Sequence, residues 1–266
     1  MTTTVFVGLD DGFRQTKIVT SEGTAIAVPS SVRPGFTLTT LGRFEDAGSG
    51  GYETAGKQFT VDADIEGEDT RFDEYAVSDI NRVMVHHALH LAGLSGKAVA
   101  LATGLPFESF YMPGSNEVNE RLIARKLESL EQEVRALNGA SSPKIERHRV
   151  TAQGLAAYVD YVTDDNGMVR SDIDPKAPIA VVDIGGRTTD CVSIYGGGKL
   201  DHTKSGTGKI GVMDVFQKIA LELMRKFEVA HVRFAALETI ARERRVRLRG
   251  KEHDVNDVVK RAVEEV

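Results

Sequence analysis

The apolar and polar positions fall into short stretches of two kinds. Val5-Phe6-Val7-Gly8-Leu9 is a compact apolar run halted by Asp10-Asp11-Gly12, which predicts a buried strand ending in a turn. Lys17-Ile18-Val19 reads as the returning strand. Between 77 and 94 the positions Ile80, Val83, Met84, Leu91 and Leu94 recur at helical spacing, with Gly93 and Gly96 marking the end. Val99-Ala100-Leu101-Ala102 predicts a further strand, broken at Gly104-Leu105-Pro106. Over 119–138 the leucines at 122, 127, 130 and 137 predict one buried face on a charged helix. Residues 35–72 are rich in Gly, Thr and acidic side chains and read as a small inserted subdomain, with a strand pair near Tyr52-Glu53-Thr54 and Gln58-Phe59-Thr60-Val61.

A new pattern begins after Asp174-Pro175-Lys176-Ala177-Pro178, the best boundary candidate, so the expected domains are 1–175 and 176–266. Ile179-Ala180-Val181-Val182 predicts a strand ending in Asp183. Cys191-Val192-Ser193-Ile194-Tyr195 alternates as its partner, before a Gly196-Gly197-Gly198 turn. Residues 213–227 predict an amphipathic helix with Phe216, Ile219, Ala220, Leu223 and Phe227 along one stripe. The remainder, 235–266, is helical in composition and heavily charged.

Composition narrows the function classes. A chain of 266 residues, 41% hydrophobic and 27% charged, has enough material for roughly two globular domains and is neither fibrous nor disordered. The single cysteine, Cys191, forms no disulfide within the chain and builds no metal cluster; the expectation is a small buried hydrophobe in a reduced, cytosolic protein. No apolar run is long enough to span a membrane, and no membrane partner is expected. The net charge of −6 argues against a broad nucleic-acid surface. The one basic run, Arg242, Arg244, Arg245, Arg247, Arg249 and Lys251, is interleaved with Glu243 and Glu252, so a solvated helix face or a contact with another protein chain is the better reading than DNA. His86 and His90 have the spacing of a zinc pair but no third ligand, and are expected to be packing residues.

The candidate chemistry lies in two segments that repeat one design, an apolar strand, Asp, a Gly-bearing turn and a second strand. They are Val7-Gly8-Leu9-Asp10-Asp11-Gly12, continuing to Lys17, and Val181-Val182-Asp183-Ile184-Gly185-Gly186-Arg187-Thr188-Thr189-Asp190. Glycine lets backbone N–H groups approach phosphate oxygens, and a carboxylate at a strand end can hold Mg²⁺ through its water shell. Thr188 adds a hydroxyl donor and Lys17 a positive charge. Two such hairpins facing each other would grip a nucleoside triphosphate. No P-loop and no dinucleotide fingerprint in a strand–turn–helix setting is present.

These hairpins resemble the phosphate motifs of the actin-like ATPase superfamily, whose fold is a two-domain, ribonuclease H-like α/β architecture. Finer features resemble its plasmid-partition branch, the ParM/StbA proteins: Leu9-Asp10-Asp11-Gly12, Val85-His86-His87-Ala88-Leu89, Ala102-Thr103-Gly104-Leu105-Pro106 before Phe110-Tyr111, and Ser205-Gly206 through Ile210-Gly211-Val212. The resemblance implies that Asp10 and Asp183 hold Mg²⁺ through water and that Asp11, Gly12, Lys17, Gly185, Gly186 and Thr188 bind the phosphates. It implies further that Gln153, with Asp183, orients the hydrolytic water. The implied activity is hydrolysis of ATP or GTP coupled to head-to-tail filament growth, with a centromere-binding adaptor reaching DNA indirectly. A small-molecule kinase of the same superfamily and a non-hydrolysing actin-like scaffold remain alternatives. The late Gly-Gly motif that cradles base and ribose in the family has no counterpart after Gly211. The second domain is therefore expected to be incomplete at its C-terminus, in either a truncated fragment or a divergent short form.

Overall fold

The computed structural model describes residues 4–37, 49–63, 65–174 and 176–266. The expected boundary at Pro175 and part of the expected 35–72 insert lie outside these residues. The chain divides into two compact units, Met1–Lys209 and Ile210–Val266.

In the first unit the strands are β1 (Val5–Asp11), β2 (Gln15–Thr20), β3 (Ala25–Pro29), β4 (Val32–Pro34), β5 (Gly50–Thr54) and β6 (Lys57–Val61), followed by helix α1 (Asp79–Leu91) and β7 (Ala98–Leu105). After these come α2 (Phe107–Phe110), α3 (Glu120–Glu131), β8 (Arg135–Ala136), β9 (Lys144–Ala152) and α4 (Gln153–Val162), then β10 (Ile179–Ile184), β11 (Thr189–Tyr195), β12 (Lys199–Leu200) and β13 (Gly206–Gly208). A five-stranded sheet runs β3-β2-β1-β7-β9, antiparallel on the β3 side and parallel from β1 through β7 to β9. Along β1, Val5, Val7, Leu9 and Asp11 point into the core while Phe6, Gly8 and Asp10 point out. This strict alternation puts the two neighbouring aspartates on opposite faces.

Helix α1 is buried almost all round, because a second sheet, β4-β6-β5-β8, covers the side away from the first. Tyr52, Phe59 and Val61 from that sheet join Val83, Met84, Leu89 and Leu101 in one core, so the expected insert has no separate core of its own. Ser78 caps α1 by accepting the Asn81 N–H at 3.1 Å, and Gly93, at φ 75°, follows its end. His86 is buried, and burial pushes its pKa down to about 4, while half-buried His90 has Nδ1 2.8 Å from Ser95 Oγ.

Three elements differ from the sequence expectation. Strand β7 passes through Gly104 to Leu105 rather than breaking there, and Pro106 stops it. Helix α3 ends at Glu131, because Val134 enters the core and Arg135–Ala136 pairs with β5 instead of continuing the helix to 138. Strand β9, too polar to stand out as a strand, is the sheet's edge beside β7.

The second hairpin and its neighbours form the sheet β10-β11-β12, with β13 also on β11. Val192 and Ile194 pack with Phe107 and Ala152, the last residue of β9 before α4. Cys191 faces the other way and is exposed, contrary to expectation: its strand alternates, and the opposite face, with Val182 and Ile184, is open.

The second unit packs α5 (Val212–Phe227), α6 (Phe234–Glu243), the hairpin β14 (Arg245–Leu248) and β15 (Lys251–Asp254), and α7 (Asn256–Glu264). Phe216, Ile219, Leu223, Leu237, Val246 and Val258 belong to its core. The Asp214 carboxylate accepts the Gly211 N–H at 2.8 Å and closes the start of α5. The tail is not wholly helical. Arg249 at φ 49° and Gly250 at φ 80° make the left-handed two-residue turn of a tight hairpin, so the basic run from Arg245 to Lys251 sits on a hairpin, while Arg242 stays on α6 and Arg244 caps its end. Arg245 pairs there with Glu252 at 2.9 Å, and Arg242 with Glu238 at 3.0 Å.

Candidate nucleotide site

Both glycine hairpins lie within the first unit. In the first, Gly12 turns the chain so tightly that a Cβ there would stand 2.9 Å from the Gln15 carbonyl oxygen, and Ser30 Oγ donates to the Gly12 carbonyl at 2.9 Å. Asp10 and Lys17 are cross-strand partners; Lys17 Nζ lies 3.1 Å from Asp10 Oδ2, and Gln153 Nε2 donates to Asp10 Oδ1 at 3.2 Å. Burial raises the Asp10 pKa most strongly. Lys17 opposes the rise, and the Asp11 and Asp183 charges add to it. Asp183, at the end of β10, is therefore close enough for the two carboxylates to feel one another.

In the second hairpin Gly185 N–H donates to the Thr188 carbonyl at 2.8 Å, and a Cβ at Gly185 would meet that oxygen at 2.9 Å. The turn leaves Gly186, Arg187 and Thr188 at its tip. Across the strands Asp183 faces Asp190, but the two serve differently. Asp183 is exposed, whereas Asp190 is 2% exposed and accepts the Phe107 N–H at 3.0 Å and the Thr207 hydroxyl. Burial, offset by these hydrogen bonds, raises the Asp190 pKa.

Asp11, expected to bind phosphate, has its carboxylate turned into the core. Lys126 Nζ reaches its two oxygens at 2.9 and 2.7 Å, and Asn81 Nδ2 donates at 2.8 Å. Its side chain is thereby removed from the mouth of the loop. Arg187 reaches from the second loop toward the first: its guanidinium stands 5.4 Å from the Phe13 ring centre and bonds Asp73 at 2.6 Å, which Lys209 also contacts at 3.3 Å. Lys209 and Arg187 together hold Asp73 below the ordinary carboxylate range.

Sequence reasoning missed Lys126, Asn81, Asp73 and Arg187 as site neighbours and gave Asp190 no role. A signal existed for Lys126, which shares a helix face with Leu122 and Leu130. No group of three or more metal-ligating side chains occurs among the described residues. Asp10 and Asp183 nevertheless fit a Mg²⁺ held through water: they supply hard oxygen donors, and a cation would offset the burial and the smaller carboxylate repulsion that raise the Asp10 pKa.

A sheet extended in parallel through β7 and β9, joined by α4 to a second Asp–Gly hairpin, is the actin-like α/β architecture. Solved structures bear this out. The archaeal actin homologue Ta0583 in its ADP complex is 20% identical, with TM-score 0.73 over 98% of this chain and 78% of that one. A non-polymerisable quadruple mutant of pCBH ParM gives 15% identity and TM-score 0.76 over 99% and 81%. A 15-stranded ParM filament from Clostridium botulinum gives 16% and 0.74 over 98% and 80%. The family model for the N-terminal part of plasmid segregation protein ParM matches residues 5–164, and that for the C-terminal part of archaeal MreB-like actin homologues matches 181–266. The chain belongs to the ParM family of the actin superfamily. No curated protein matches it in sequence.

Proposed function

We propose that this protein binds and hydrolyses ATP or GTP with Mg²⁺ and couples hydrolysis to head-to-tail filament growth, moving plasmid DNA apart through an adaptor protein in the bacterial cytoplasm. The observation that carries the reading is the Gln153 amide donating to Asp10 at 3.2 Å beside the first glycine turn, with the Asp183 charge adding to the rise in the Asp10 pKa. When bound, Mg²⁺ would neutralise the phosphates and the two carboxylates. Gly12, Lys17, Gly185, Gly186 and Thr188 would supply donors to the phosphate oxygens. Gln153 cannot take a proton at neutral pH. With its amide N–H₂ held by Asp10, its carbonyl oxygen is left to orient a water for attack on the terminal phosphorus. The new P–O bond replaces the bond to the bridging oxygen, and the diphosphate, inorganic phosphate and a proton leave.

Filament growth is supported by the likeness to a ParM filament, and nucleotide binding by the likeness to an ADP complex. A heterologous contact between copies grows an open polymer. The domain division we propose is at residues 175/176, between the stretches matched by the two family models; the compact units divide instead at 209/210, so the second hairpin belongs to the second family stretch but to the first compact unit.

Light scattering and phosphate release, followed together after adding Mg-ATP or Mg-GTP to the full chain, test the reading. Both are expected to rise. Phosphate release without polymer would favour a non-filament enzyme, polymer without release a scaffold, and neither would remove the proposal.

A further inference from the structure

Lys126 is a lysine in the middle of α3 whose side chain, like that of Asp11, is 1% exposed. Its ammonium reaches both Asp11 oxygens and donates to the Gly104 carbonyl at 2.7 Å, so the charge is matched and its donors are used. Asn81 from α1 completes the shell of Asp11. A buried ion pair of this kind is no better for stability than a well-packed apolar pair, so its geometry calls for another account.

What it joins supplies one. Asp11 is the residue next to Asp10. Gly104 sits near the end of β7, pairs with Thr151 on β9, and makes room for Gln153: a Cβ at Gly104 would stand 2.5 Å from Gln153 Cγ. One ammonium thus ties the strand that carries Asp10 to the strand against which Gln153 rests. These are the two side chains that meet at 3.2 Å in the site.

We propose that Lys126 is a positioning residue that sets the Asp10–Gln153 contact by clamping Asp11 to the Gly104 carbonyl. The proposal rests on the hydrolytic reading of the site above. Its effect runs through the placement of the water, not through affinity for nucleotide.

Two variants of the full chain test it. Asp11→Asn combined with Lys126→Met removes both buried charges together, and Gly104→Ala pushes on Gln153 while leaving the ion pair in place. Both are expected to hold nucleotide within about threefold of wild type yet slow single-turnover phosphate release by about tenfold or more. In the nucleotide-free protein, the side-chain amide resonance of Gln153 should move toward the position of a free amide in both. Unchanged release and an unmoved resonance in folded variants would overturn the proposal. A double variant that fails to fold would assign the pair to stability and overturn it too. If wild type itself releases no phosphate, the hydrolytic reading fails separately, and the Gln153 resonance still decides whether Lys126 sets the contact.

Discussion

The two Asp–Gly hairpins follow one plan and anchor it in opposite ways. Each presents one aspartate to the site, Asp10 or Asp183, and buries another, Asp11 or Asp190. Asp11 forms a buried ion pair with Lys126, whereas the partners of Asp190 among the described residues are neutral donors, the Phe107 N–H and the Thr207 hydroxyl. The first hairpin is thus held by an ion pair that must be kept whole. The second is held by a carboxylate whose pKa is raised by burial.

Breaking the ion pair tests that difference most severely. Lys126→Met alone strands the Asp11 carboxylate with Asn81 as its remaining partner, and should cost about 3–5 kcal/mol in urea unfolding. A loss below about 1 kcal/mol would mean that water reaches Asp11 and that the hairpins are anchored alike.

The outward aspartates should separate from the inward ones in kind. Asp183→Ala, at an exposed position, should leave the unfolding midpoint near wild type while lowering phosphate release by about a hundredfold or more. Retained turnover would remove Asp183 from the site. Next in size is Gly154→Ala in α4, where a Cβ would stand 2.5 Å from Val192 Cγ2 on the second hairpin. Overpacking there should cost about 1–3 kcal/mol, against almost nothing for the same change at Gly8, which has open space.

How much of this was legible follows from the period of each element. The hairpins were legible because Asp, Gly and apolar residues fall at fixed spacings that few other structures need. The inward turn of Asp11 was written in the same alternation, since it shares a face with Val5, Val7 and Leu9. Cys191 went astray because alternation says which residues share a face, not whether anything covers that face. The basic hairpin went unread because charge masked the two-residue period of Arg245-Val246-Arg247-Leu248. Lys126 needed the fold itself: its partners Asp11 and Gly104 lie far away in sequence, and only the sheet brings them to α3.

The smallest effect is also the sharpest test of the contrast. Asp190 has a raised pKa in the folded protein, so its ionisation opposes folding: its favourable contribution is complete below the ordinary carboxylate value of 3.8 and is lost as pH rises through the folded value. Asp190→Asn keeps an oxygen to accept from Phe107 and Thr207 but carries no charge. At acid pH wild type and variant should unfold at similar urea concentrations. As pH rises toward neutrality the variant should gain on wild type. At Asp11, by contrast, the same change to Asn leaves Lys126 as an unpaired buried charge and should be harmful at neutral pH. If wild type instead gains on Asp190→Asn with rising pH, a positive charge must serve Asp190 as Lys126 serves Asp11, and the two hairpins are braced by one device rather than two.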